Sequence, residues 1–154
     1  MKCRLGPLAA FAALAGGCSS PPPAPVAQVE VAKPADETRR FPAANRVETH
    51  VVATALLGKS FMPGGTVAHY KRGAVEYDMF VASLPTPLAA ALLLPDWKNA
   101  LAGAHVVPTF GGYFGSDAGR PVFVFAKGTW LAGVAGLPQQ QADLAARTLA
   151  ARLD

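Results

Sequence analysis

Residues 66–83 read Thr66-Val67-Ala68-His69-Tyr70-Lys71-Arg72-Gly73-Ala74-Val75-Glu76-Tyr77-Asp78-Met79-Phe80-Val81-Ala82-Ser83. Thr66 to Lys71 alternates, and Arg72-Gly73 breaks the pattern. Alternation resumes from Ala74 to Ser83, with Val75, Tyr77, Met79 and Val81 on one face and Glu76 and Asp78 on the other. A period of two sends successive side chains to opposite faces of a strand. The stretch therefore predicts a β-hairpin with one covered face.

Upstream, Met62-Pro63-Gly64-Gly65 reads as a turn. Residues 45–57 carry two competing signals. Asn45 with Glu48 three residues on is a capping pattern, and Gly58 can close a helix whose stripe is Val47, Val51, Ala55 and Leu56. Val47, Thr49, Val51, Val52 and Thr54 are β-branched and suit a strand. The termination signals at both ends favour the helix.

Downstream, Thr86-Pro87 predicts a helix start, with Leu88, Ala91 and Leu92 inward. Pro95 is expected to kink or end that helix, with a second short one over residues 96–101 closed by Gly103. Val106 to Phe114 reads as a strand, Gly115 to Gly119 as a loop, and Pro121 to Ala126 as a buried strand. Lys127-Gly128 is a two-residue turn before a strand from Thr129 to Ala135. After Leu137-Pro138 a last helix places Ala142, Ala145, Leu149 and Leu153 on one face. The expected fold is a two-layer α+β domain, an antiparallel sheet of about five strands with helices on one face.

The chain has 154 residues, of which 51% are hydrophobic and 16% charged, against a usual ~25% charged. That composition argues against a disordered chain. A surplus of four scattered positive charges also argues against a nucleic-acid binder built on a basic patch.

Lys2 and Arg4 precede an uncharged, mostly apolar run from Leu5 to Gly17. That run has the length of a signal-peptide core and is too short to span a bilayer, which takes about 20 apolar residues. It ends Leu14-Ala15-Gly16-Gly17-Cys18, followed by Ser19-Ser20. This segment resembles the lipobox of bacterial lipoprotein signal peptides, although Ala15 stands where that family prefers a larger aliphatic residue. The resemblance covers residues 1–18 and the polar stretch after them. It implies cleavage after Gly17 and acylation of Cys18. Ser19 in place of an aspartate implies export to the outer membrane, facing the periplasm.

Cysteine usage agrees with the resemblance. Cys3 would leave with the signal, so Cys18 would be the one cysteine of the mature chain, with no disulfide partner. Several acyl chains anchor firmly where one holds marginally. Losing Lys2 and Arg4 would also halve the net charge of +4 to +2.

The expected organisation is a signal peptide over 1–17, a lipidated cysteine and proline-rich tether over 18–44, and a globular domain over 45–154. The tether carries Pro21, Pro22, Pro23 and Pro25. As a flexible coil it would span about 30 Å.

Motifs with chemistry are sparse. His50, His69 and His105 form no close pair, which offers no metal site of recognisable spacing. Ser116-Asp117 lies in a glycine-rich stretch without the G-x-S-x-G frame and reads as a turn. Lys127-Gly128-Thr129 has the wrong order for a phosphate loop. Glu76 and Asp78 share a strand face and read as solvated residues. No cofactor is implied.

Six aromatics fall between residues 110 and 130, among them Tyr113, Phe114 and Trp130. Neighbours on a strand point to opposite faces, so these three are the candidates for an exposed ligand or partner patch, with partial burial in the core as the alternative. The expected function is a lipid-anchored envelope module that binds a protein or an apolar ligand without catalysing a reaction. The rivals are an envelope hydrolase built from distant residues such as His69, Asp78 and Ser116, and a structural component of an envelope complex.

Overall fold

A computed structural model describes Pro23 and residues 32–154. Cys18, the signal segment and about half of the expected tether (18–22 and 24–31) lie outside the described residues. One antiparallel sheet of seven strands dominates, rather than about five. In chain order these are β1 (Arg46–Thr54), β2 (Pro63–Arg72), β3 (Val75–Ser83), β4 (Ala102–Val107), β5 (Gly112–Asp117), β6 (Arg120–Lys127) and β7 (Trp130–Ala135). Helix α1 (Pro87–Ala100) joins β3 to β4, and α2 (Gln139–Ala150) follows β7. The spatial order is β1-β2-β3-β7-β6-β5-β4. Among the described residues no helix is long and apolar enough to cross a membrane.

The 66–83 hairpin is present, pairing Thr66 with Val81 and Tyr70 with Tyr77. Its cover differs from the expectation. Tyr77, Met79 and Val81 enter one core cluster, while Phe80 and Ala82 enter a second on the opposite face. The same split divides Phe123 and Phe125 from Val122 and Val124 on β6. Helix α1 covers the second face through Trp97 and Leu101, and α2 covers the first through Ala142, Ala146 and Leu149. The helices therefore lie on both faces, making three layers instead of two. The physical reason is that β6 and β7 are apolar on both sides, and each side needs its own cover.

Arg46–Thr54 form strand β1, followed by a single 3-10 turn over Leu56–Gly58, rather than the favoured helix over 45–57. Asn45 takes a left-handed φ of 63° and its carbonyl accepts from the Lys71 N–H at 3.0 Å, so it starts strand pairing instead of capping a helix. Gly64 and Gly65 lie inside β2 rather than in a turn.

Thr86 caps α1 as expected, its hydroxyl accepting from the Ala89 N–H at 3.1 Å. Pro95 does not end that helix. Ala91 and Pro95 both face outward, so the carbonyl deprived of a donor is on the solvent side. The buried stripe is Ala90, Leu93, Leu94 and Trp97, and the expected inward residues Leu88 and Leu92 are 67% and 61% exposed. Val106 to Phe114 spans two strands and their turn, and Gly115 to Asp117 belongs to β5. The turn after β6 is Gly128-Thr129, one residue later than expected.

The compact unit spans Val31–Asp154, so packing starts earlier than the expected boundary at Asn45. Glu37 donates its N–H to Thr66 Oγ1 at 3.1 Å, and Thr38 and Thr49 share a hydroxyl bond at 2.7 Å. Phe41 is buried in the α2-side core. Residues 37–45 thus strap the half of that face that α2 leaves uncovered.

Candidate functional site

Between this strap and α2 lies a groove of about 310 Å³. Tyr70, Tyr77 and Met79 form its floor, Pro42 and Asn45 one wall, and Leu137, Leu144 and Ala145 the other. Hairpin register creates the floor. Tyr70 and Tyr77 are cross-strand partners, and their rings stack at 5.0 Å with an interplanar angle of 8°. The Tyr70 hydroxyl donates to the Pro42 carbonyl at 2.8 Å, tying floor to wall. Arg72, Gln141 and Thr148 supply the polar rim. A roomier depression beside Ala53, Pro63 and Gly64 has no charged side chain in its lining.

Burial pushes the Tyr70 phenol up to about 12 and raises that of Tyr77 as well, with Arg72 opposing the latter shift. A phenol whose folded pKa exceeds its unfolded value of about 10 stabilises the fold below that pH. The contribution of Tyr70 is lost as pH climbs from about 10 through about 12. Alkaline titration should therefore show late-ionising phenols, the latest of them lost in Tyr70→Phe, by ultraviolet absorbance. Normal ionisation of all three tyrosines would contradict the buried floor.

On the opposite sheet face a polar cluster surrounds Asp78. His69 Nδ1 lies 2.7 Å from Asp78 Oδ1, and Arg120 donates to Asp78 Oδ2 at 2.9 Å. Lys71 pairs with Glu76 at 2.9 Å, a hydrogen bond that lowers the Glu76 pKa and raises that of Lys71. Asp78 is only 18% exposed, so it is a paired group rather than the solvated one its spacing suggests. Of the rival hydrolase residues, His69 and Asp78 meet. Ser116 does not join them: it is the partner of Pro121 and follows the face of Phe123, whereas Asp78 follows that of Phe80.

The three aromatic candidates do not form one patch. Tyr113 packs at the edge of the α1-side core and Phe114 at the edge of the α2-side core. Trp130 is buried, with the Arg40 guanidinium 4.2 Å from its ring centre. Strand alternation separates the first two, and the N-terminal strap covers the third. His50 is exposed, and His105 Nε2 lies 3.0 Å from Gln139 Oε1 near the other edge of the sheet. Among the described residues no three His, Cys, Asp or Glu side chains converge as a metal site.

The groove escaped the sequence reading. Tyr70 and Tyr77 are equidistant from the Gly73-Ala74 turn, and counting outward from it pairs them. Leu144, off the apolar stripe of α2 and 63% exposed, was the other signal. No protein-family profile, curated protein or solved structure matches the chain.

Proposed function

We propose that this chain is a lipid-anchored lipoprotein of the bacterial envelope whose domain binds a partner or small ligand. The observation that carries the anchor is Leu14-Ala15-Gly16-Gly17-Cys18 after a charged start and an apolar run, with Cys18 as the one cysteine left after cleavage. Ser19 at the next position supports the outer membrane, facing the periplasm. The groove between strap and α2 supports a binding role, having a mostly apolar lining with a few polar groups at its rim.

Cys18→Ala should abolish palmitate incorporation, because no other cysteine of the mature chain can take the lipid. A wild-type chain that takes up no labelled palmitate, with a variant still in the membrane fraction, overturns the anchor.

A further inference from the structure

We infer that the groove between the strap and α2 is a site for a compact organic acid, its apolar body on the Tyr70–Tyr77–Met79 floor and its carboxylate held by Arg72 and the Tyr77 hydroxyl. The inference deepens the binding reading and rests on it, but not on the anchor.

Volume sets the size of the occupant. The cavity of about 310 Å³ is at the small end of ligand pockets, which suits a compact occupant. The floor of two stacked rings and a thioether suits a flat apolar group.

A hydroxyl donor in the groove suits a polar end on that occupant. Tyr77 is 8% exposed, and its hydroxyl, which has no partner among the described residues, is not fully buried and is open to water or a ligand. Its stacked neighbour Tyr70 is satisfied by the Pro42 carbonyl. A bound acceptor would take the place of the water that this hydroxyl can otherwise bond.

Charge sets the sign. Arg72 is the one charged residue among those lining the groove. Arg46, held by the Thr38 and Phe41 carbonyls, and Arg152 add positive charge near Tyr70, and Arg147 pairs with Asp143. Among the described residues Arg72 bonds only the Gln141 side-chain oxygen, at 3.5 Å, and it is near enough to Tyr77 to act on its phenol electrostatically. A planar guanidinium beside a hydroxyl donor matches a carboxylate. A cationic ligand would meet no carboxylate there.

The test uses the full-length protein in phospholipid nanodiscs, or in buffer should the chain prove unacylated. It is titrated with 3-phenylpropanoate and with the neutral 3-phenylpropanamide, and saturation-transfer NMR reads both affinities against a protein-free control. The acid should bind about tenfold tighter than the amide. Arg72→Gln should remove that preference by weakening the acid about tenfold and leaving the amide unchanged. Tyr77→Phe should weaken the acid about threefold without unfolding the domain. Equal binding of acid and amide, or an acid affinity untouched in Arg72→Gln, overturns the acid site while a binding groove stands. Failure of both probes to bind overturns the site. The mass of the same sample reports acylation, so the anchor is judged separately.

Discussion

Trp97→Ala is expected to destabilise the domain by about 3–5 kcal/mol, a large share of the ~5–15 kcal/mol typical of a domain. Trp97 is fully buried on α1, its ring centre 6.0 Å from Phe80 and 5.5 Å from Phe61. Its indole N–H points at Met62 Sδ, 3.2 Å away. Removing it leaves a cavity between helix and sheet, and none of the exposed leucines of α1 can turn inward without rotating the helix. Urea unfolding should show a midpoint shift of that size, with Trp97→Phe recovering part of it. A variant that unfolds like the wild type would mean that α1 does not hold this face of the sheet.

Gly133→Ala should be nearly as damaging, at about 3 kcal/mol. Gly133 lies in β7 opposite Phe80, on the same face as Trp97's contacts. A methyl group there would run into the Phe123 carbonyl and the edge of the Phe80 ring, whose Cε1 would be 2.8 Å away. The ring is hemmed in by Trp97, whose ring centre lies 6.0 Å away, and the backbone carbonyl of Phe123 cannot yield as a side chain would. The strand itself tolerates alanine, as Ala132 and Ala135 show, so the cost comes from packing. Thermal melting checks it. A neutral substitution would place Phe80 elsewhere than over β7.

These two effects depend on the layer that the sequence reading lacked. The local signals were strong where each involved one strand or one turn. The strand over residues 75–83, the Thr86-Pro87 cap and a last helix with Ala142 and Leu149 buried all appear in the structure, although its buried face runs through Ala146 and Ala150 rather than Ala145. Where a choice depended on distant partners, local signals failed. Asn45 and Glu48 look like a helix start, yet pairing with β2 makes residues 46–54 a strand. Leu88 and Leu92 look like an inner face, yet the bulk of Trp97 sets the phase of α1.

The run Val122-Phe123-Val124-Phe125 held the clue to the third layer. Four consecutive apolar residues leave no polar face on a strand, so both sides must be covered. The groove was less accessible from sequence, because it needs a strap, a hairpin and a helix separated by tens of residues to meet. The hydrolase alternative kept its histidine and aspartate but lost its serine to the period of two, which puts Ser116 on the other face of the sheet.

The most direct test of the proposed anchor is the mass of the N-terminal peptide of the protein taken from its native membrane. The account predicts a chain beginning at Cys18 and carrying acyl groups on that residue. An uncut chain, or one beginning elsewhere with a free Cys18 thiol, would contradict it.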